Sequence, residues 1–288
     1  MNEFDPTFEF EIINIKLQTK KNENERFDAY KAIIYRLVEH KLHSAVGENK
    51  HMIIYSAYPK ITETGVEYIY GEIGKGIYFT DKEGSAIDIE SLETENEIYD
   101  TSKIYNPDRT DYVFIPAAHR LCVRIGNKIT GNQVRRFLLS NVQSIVDKGD
   151  KIEIELQKEE TTIEELLKAK KVHKLDYSIS YTNDDTLGAA ASLFDRRLKK
   201  SQIGKIQLKA EADHNDQMKV EGEEILEGGI ELARNNGTIN SAEITTISGE
   251  RKHLSTKEIP KRVKIKSDYE TFRNALVSAI MLLFRGNL

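Results

Sequence analysis

The stretch at 174–208, KLDYSISYTNDDTLGAAASLFDRRLKKSQIGKIQL, carries the clearest pattern of the chain. Residues 175–181 and 203–208 predict two strands, and residues 187–198 between them predict a helix. One face of that helix is apolar at helical spacing, through Leu187, Ala191, Phe194 and Leu198. The stretch therefore predicts a strand–helix–strand unit.

Toward the C-terminus the same alternation continues. Residues 225–233 predict a helix, and residues 239–247 and 263–265 predict strands. Ser267, with Glu270 three positions later, predicts a capping box at the start of a last helix. From residue 175 onward the order is strand, helix, strand, helix, strand, strand, helix, which predicts a sheet with helices mainly on one face.

The first half also mixes strands with helices. A helix is predicted near 25–45, and strands at 8–15, 52–55, 66–73, 77–80, 111–116, 119–125 and 152–156. Gly74 and Gly76 predict a hairpin turn between two of these strands. Thr130 with Gln133, and Thr161 with Glu164, predict helix starts. Residues 83–100 are acidic and poor in large apolar residues, so we expect a solvated insertion.

These elements predict an α+β fold with mixed, mostly antiparallel sheets and helices packed on one face. We expect two units of similar size, divided near 160–175. Residues 1–165 form an N-terminal α+β unit with the acidic insertion at 83–100. Residues 170–288 form a C-terminal α+β unit with a basic stretch and a capped last helix. A single continuous sheet is the alternative.

Composition places limits on the class of protein. The chain has 288 residues, 39% of them hydrophobic and 31% charged, with a net charge of −5. This supports a buried core and argues against wholesale disorder. The single Cys122 excludes an internal disulfide. The acidic N-terminus and the short apolar run at 275–284 predict neither a secretory signal nor a membrane span, so we expect a cytoplasmic protein.

A basic stretch at 251–266, RKHLSTKEIPKRVKIK, stands out in this acidic chain. Its cations are Arg251, Lys252, Lys257, Lys261, Arg262, Lys264 and Lys266. A second basic group, Arg196, Arg197 and Lys200, lies at the end of a predicted helix. Phosphate backbones are common partners of such patches, so we predict nucleic-acid binding without sequence readout. The alternatives are an edge strand protected by lysines and cations that stabilise a helix C-terminus.

Two acidic segments are candidates for metal binding. The loop at 211–216 contains Asp213, His214 and Asp216, which offer ligands for magnesium or calcium. The segment at 150–158 has carboxylates and a lysine in an order similar to that of metal-dependent nucleases. A solvated loop and an exposed strand are the alternatives. We expect no other cofactor.

His119 and Arg120 follow a strand-like segment and a Pro116 turn. A histidine titrates near neutrality and an arginine carries a fixed positive charge, which suits general acid catalysis and phosphate binding. If the protein is an enzyme that acts on phosphates, we predict that these two residues are catalytic. The structural alternative has Arg120 paired and His119 buried.

Three segments together carry a resemblance: YVFIPAAHR at 112–120, KITGNQVRRFL at 128–138 and LDYSISYTNDD at 175–185. The chain resembles an uncharacterised bacterial domain family that occurs in mobile-element and phage-defence gene neighbourhoods. The resemblance implies a bacterial cytoplasmic protein of antiviral defence, and it implies no catalytic residues.

Three functional hypotheses follow. The first is a nucleic-acid-binding component of a bacterial anti-phage defence system, with DNA and RNA both open as ligands. The second is a metal-dependent nuclease effector. The third is a protein-interaction or regulatory subunit without catalysis, which binds another defence protein or forms a homo-oligomer through its acidic and basic segments.

Overall fold

A computed structural model describes most of the chain. The described residues are 5–87, 89–90, 93–126, 128–158, 161–180, 189–213, 217–221, 223, 225–256 and 260–285. They form two compact units, each made of separate segments. The C-terminal unit holds residues 1–16, 118–121 and 155–288, and the central unit holds residues 17–117 and 122–154. No helix in the described part of the chain is long and apolar enough to cross a membrane.

Three strands contribute residues to both units: β1 (Thr7–Gln18), β9 (Arg120–Arg124) and β10 (Lys151–Leu156). The remaining strands of the central unit are β2 (His43–Gly47), β3 (Lys50–Ile54), β4 (Tyr58–Ile61), β5 (Glu67–Ile77), β6 (Glu83–Ile87), β7 (Thr94–Ile98) and β8 (Tyr105–Ile115). In this unit the strand order is β9-β8-β5-β3-β2, with β4 paired to β5, and β6 and β7 pair only with each other. The described part of the acidic insertion is therefore a two-stranded hairpin, in which all residues of β7 are exposed.

The helices of the central unit are α1 (Glu23–Glu39) and α2 (Gly131–Asn141). Helix α2 begins with the predicted capping box of Thr130 and Gln133, and α1 begins with an equivalent box of Asn22 and Glu25. Both helices contact β3. Each helix has a buried apolar side, which includes Ile33 of α1 and Phe137 of α2.

The hairpin predicted around the glycines at 74 and 76 is wrong, because β5 runs through them without a turn. Gly74 pairs with Ile53 on one side and with Arg109 on the other. A side chain at Gly76 would collide with the carbonyl oxygen of Tyr105. Gly76 therefore allows close approach of a neighbouring backbone, and neither glycine supplies a positive φ.

The C-terminal unit contains a four-stranded antiparallel sheet. The strands that lie wholly in the C-terminal unit are β11 (Lys171–Ser180), β12 (Lys205–Glu211), β13 (Gly237–Thr245), β14 (Arg251–Leu254) and β15 (Arg262–Lys266). The sheet has the order β12-β11-β13-β14, whereas β15 pairs antiparallel with β1. The described strands form three separate sheets, so the alternative of a single continuous sheet is wrong.

The helices of this unit are α3 (Thr161–Leu167), α4 (Ala189–Lys200), α5 (Leu226–Asn236) and α6 (Phe272–Arg285). Helix α5 contacts α3, α4, β11 and β13 and closes an apolar core that includes Leu175, Phe194 and Ile230. The Tyr177 hydroxyl donates to the carbonyl oxygen of Ile225 over 2.6 Å, and burial raises the pKa of Tyr177 to about 12.

The last helix begins later than its predicted capping box. Helix α6 starts at Phe272, and the Asp268 carboxylate accepts the amides of Glu270 and Thr271 over 2.8 Å each. Asp268 therefore takes the capping role predicted for Ser267. The Phe272 ring stacks on Phe8 of β1 with centroids 4.4 Å apart, which fixes α6 against β1 and β15.

The described residues form six α-helices and fifteen strands in mostly antiparallel sheets. This confirms the predicted α+β class. The predicted domain boundary near 160–175 stays a prediction. The compact C-terminal unit includes residues 1–16 and 118–121 in addition to residues 155–288.

Candidate nucleic-acid interface

The outward face of β15 carries three exposed cations of the basic stretch. Its burial alternates along the strand: Arg262, Lys264 and Lys266 are exposed, and Ile265 between two of them is buried. Antiparallel pairing sets Phe8 of β1 opposite Ile265. Because side chains alternate between the two faces of a strand, one face joins the core and the other presents three cations.

Two glutamates of β1 lie across from these cations. Glu9 is paired with Lys264 and Glu11 with Arg262 in the strand register. The Lys264 ammonium lies 2.8 Å from the Glu9 carboxylate, and the Arg262 guanidinium lies 3.6 Å from that of Glu11. The hydrogen bond from Lys264 lowers the pKa of Glu9, with a smaller contribution from the charges of Lys264 and Arg262. Lys266 forms no ion pair with any described residue, so the face keeps a net positive charge.

The other predicted cations of the stretch lie elsewhere. Lys261 is only 8% exposed, and its ammonium lies 5.3 Å from the centroid of the Phe284 ring, so it does not join the β15 face. Arg251 and Lys252 lie on β14 in the four-stranded sheet. Arg251 pairs with Glu243 at 3.2 Å and Lys252 with Glu165 at 2.5 Å. Lys257 lies outside the described residues.

The second basic group lies in the last two turns of α4. Arg196, Arg197 and Lys200 are all exposed there. Their neighbour Lys199 pairs with the buried Asp195 at 2.9 Å, one helical turn earlier. Cations near the C-terminus of a helix interact favourably with the helix dipole, which gives this group a structural role. The group is also accessible to a ligand.

His119 and Arg120 lie at the predicted place, after a 3-10 turn at Pro116–Ala118 and at the start of β9. Arg120 is 0% exposed. Its guanidinium donates to Asn14 Oδ1 over 2.6 Å and to the carbonyl oxygen of Ala118 over 2.9 Å, and it lies 4.2 Å from the centroid of the Phe284 ring.

His119 is 5% exposed and has a φ of 55°, which a residue with a side chain rarely adopts. Its Nε2 lies 3.2 Å from a guanidinium nitrogen of Arg285. A buried, hydrogen-bonded Arg120 and a buried His119 fit the structural alternative. The catalytic role of the pair stays a prediction.

The candidate metal residues are only partly described. Asp213 is exposed, whereas His214 and Asp216 lie outside the described residues. Within the described part of the chain, no group of three or more His, Cys, Asp or Glu side chains has a geometry that could hold a metal ion. On β10, Glu153 accepts a hydrogen bond from Gln18, and Glu155 lies 3.5 Å from the Lys16 ammonium.

Sequence reasoning missed the acidic partners of the β15 face. Glu9 and Glu11 alternate with Phe8 and Phe10, and the cations in 262–266 alternate with apolar residues in the same way. Matching alternation of opposite charge in two segments is a signal for cross-strand pairing. That signal was available without a structure.

Comparison with known families gives a match over most of the chain. Residues 6–281 match the sequence profile of a domain of unknown function. No match to the chain was found among the curated proteins.

Proposed function

The chain belongs to the DUF4747 family, a domain family of unknown function, and we propose that it binds the phosphate backbone of nucleic acid through the exposed face of β15. We further propose that it acts in the cytoplasm as a component of a bacterial anti-phage defence system, in line with the family resemblance of its sequence. One observation carries the binding proposal: Arg262, Lys264 and Lys266 are exposed on a single strand face of an otherwise acidic chain.

The charge of this face favours weak binding that depends on salt. Three cations face two carboxylates, so a phosphate that approaches Lys264 competes with Glu9 for the same ammonium. Lys266 has no such competitor and is the first contact that we expect. Because Lys264 is exposed, its pair with Glu9 contributes about 0–1 kcal/mol, so the exchange of Glu9 for a phosphate costs little. Glu11 is buried, so the release of Arg262 from its carboxylate costs more.

The chemistry of the face argues against sequence readout. Its exposed groups are one guanidinium and two ammonium groups, and no aromatic side chain interleaves with them in 262–266. Specific recognition of single-stranded RNA relies on stacking between aromatic rings and bases. Contacts to phosphate oxygens position a protein on nucleic acid and carry no sequence information. The exposed cations of α4 offer a second contact of the same kind.

The test is fluorescence anisotropy with short duplex DNA, single-stranded DNA and RNA of several sequences. We compare the natural protein with the triple variant Arg262→Gln, Lys264→Gln, Lys266→Gln. Each phosphate contact to a duplex adds about 0.9 to the slope of log affinity against log salt, so the triple variant loses about 2–3 units of slope. The single variant Glu9→Gln removes the competitor of Lys264 and binds more tightly than the natural protein.

A matched control changes the same net charge elsewhere. Lys41, Lys60 and Lys82 are exposed in the central unit, and the variant with glutamine at all three keeps the salt slope of the natural protein. Circular dichroism confirms that both triple variants are folded. Equal loss of affinity in the two triple variants contradicts a localised interface. Unchanged binding by the β15 variant removes the proposal.

A further inference from the structure

The central unit contains a cleft that is separate from the candidate nucleic-acid interface. It lies where the β2–β3 turn approaches the start of the acidic hairpin, and its volume is about 450 Å³. Sites for small ligands measure about 300–1,000 Å³. The cleft therefore has room for one small organic group.

Four aromatic rings contribute to its lining. The His51 and Tyr78 rings stack with centroids 4.2 Å apart, and the Phe79 and Tyr99 rings stack at 3.7 Å and an angle of 5°. Gly84 of β6 leaves space for the Tyr99 ring, which a Cβ at that position would strike. Stacked aromatic side chains have few rotatable bonds, so they lose little conformational entropy when a ligand binds against them.

His51 contributes a neutral ring to this wall. Its Nδ1 lies 2.9 Å from Nδ1 of His43, so one imidazole donates to the other. Burial lowers the pKa of His51, and the charge of His43 lowers it further. At neutral pH the wall therefore carries little positive charge.

The charged groups at the cleft are acidic. Among the described residues that line it, Asp81 and Glu83 are the two with a charge, and both are exposed. Neither forms an ion pair with a described residue. The exposed Glu95 and Glu97 of β7 add negative charge to the same hairpin. The carboxylates at the cleft attract cations.

We infer that the cleft binds an organic cation, a guanidinium or alkylammonium group, between the aromatic rings and the two carboxylates. Aromatic faces attract such cations through the ring quadrupole, and the carboxylates supply the opposite charge. The cation belongs either to a basic side chain of a peptide or to a free small molecule. This site is independent of the proposed nucleic-acid interface, which requires a ligand of the opposite charge.

The test uses the full chain and ligand-observed NMR titrations. Agmatine represents a free guanidinium, and a blocked Gly-Arg-Gly peptide represents an arginine side chain. We expect saturable binding of at least one of them in the millimolar range. Binding of agmatine alone identifies a small-molecule site, binding of the peptide alone identifies a peptide site, and binding of both identifies recognition of the shared group. Absence of binding by both overturns the inference.

Variants separate the cleft from general electrostatic attraction. The double variant Asp81→Asn, Glu83→Gln removes the two carboxylates of the cleft and weakens binding by about tenfold. The control Glu95→Gln, Glu97→Gln makes the same change in net charge on the neighbouring strand β7 and leaves affinity within about twofold of the natural protein. Equal weakening in both double variants overturns the inference, because attraction to the hairpin as a whole would then explain the binding.

Discussion

Replacement of Arg120 by methionine distinguishes a structural from a catalytic role for this buried residue. Methionine has a similar length and no charge. It removes the donors to Asn14 Oδ1 and to the Ala118 carbonyl oxygen, and it removes the cation from the face of Phe284. We predict a large loss of stability.

The magnitude follows from these contacts. Two buried acceptors that lose a charged donor cost about 1–3 kcal/mol each, and the lost cation–π contact adds up to about 2 kcal/mol. The natural protein must desolvate a guanidinium, whereas the variant does not, and this offsets part of the loss. We therefore expect a net decrease of about 3 kcal/mol in the free energy of unfolding. At about 2–4 °C per kcal/mol, Tm falls by roughly 6–12 °C.

The assay is thermal and urea unfolding followed by circular dichroism, together with nucleic-acid binding measured well below the transition. Arg136→Met on the exposed face of α2 is the matched control, and we expect Tm within about 2 °C of the natural protein. A structural Arg120 predicts a lower Tm with intact binding at low temperature. An unchanged Tm in Arg120→Met would refute the reasoning and return Arg120 to the candidate catalytic residues.

Two further predictions concern helix ends and acid stability. Lys41 and Gln202 follow α1 and α4 with φ of 50° and 56°. Because glycine adopts a positive φ without strain, glycine at either position raises the free energy of unfolding by about 1 kcal/mol. Urea titrations measure this change, and a decrease would contradict the prediction. Asp147 and Asp150 hold folded-state pKa values below the ordinary 3.8, chiefly through hydrogen bonds from Lys21. Because the unfolded chain then binds protons more readily than the folded protein, the two carboxylates stabilise the fold fully above about pH 4. This stabilisation is lost as the pH falls below that value. Lys21→Met should weaken the dependence of the free energy of unfolding on pH in the acid range. An unchanged pH dependence in this variant would show that other groups determine the acid stability.

The start of α2 was predictable from the sequence, whereas the start of α6 and the end of α1 were not. The capping box of Thr130 and Gln133 was predicted and is present. Helix α1 was predicted to continue to 45 but ends at Glu39. The Lys41 amide bonds to the Val38 carbonyl oxygen and the Leu42 amide to that of Leu37, a Schellman pattern. Because lysine occupies the left-handed position where glycine is usual, the sequence gives no stop signal there.

The distribution of the basic stretch between two sheets depended on long-range pairing. The stretch at 251–266 is continuous in sequence, yet β14 joins β13 and β15 joins β1. Strands β13 and β14 are neighbours in sequence, whereas β15 and β1 are far apart, and the matching alternation of charge in β15 and β1 is the sequence signal that they pair. The burial of Lys261 has the same origin, because its environment is made by Phe284, a residue on another element.

The pairing of β15 with β1 links the core to the proposed interface. Phe8 opposite Ile265 and Phe10 opposite Val263 form the apolar side of the pair, while Glu9 opposite Lys264 forms part of the charged side. A shift of register by one residue would exchange the two sides, placing charges in the core and phenylalanines in solvent. Burial of Phe8 and Phe10 therefore fixes the outward direction of Arg262, Lys264 and Lys266. The hydrophobic effect that folds this strand pair also maintains its charged face, so removal of the exposed cations should weaken phosphate binding and leave the strand pairing intact.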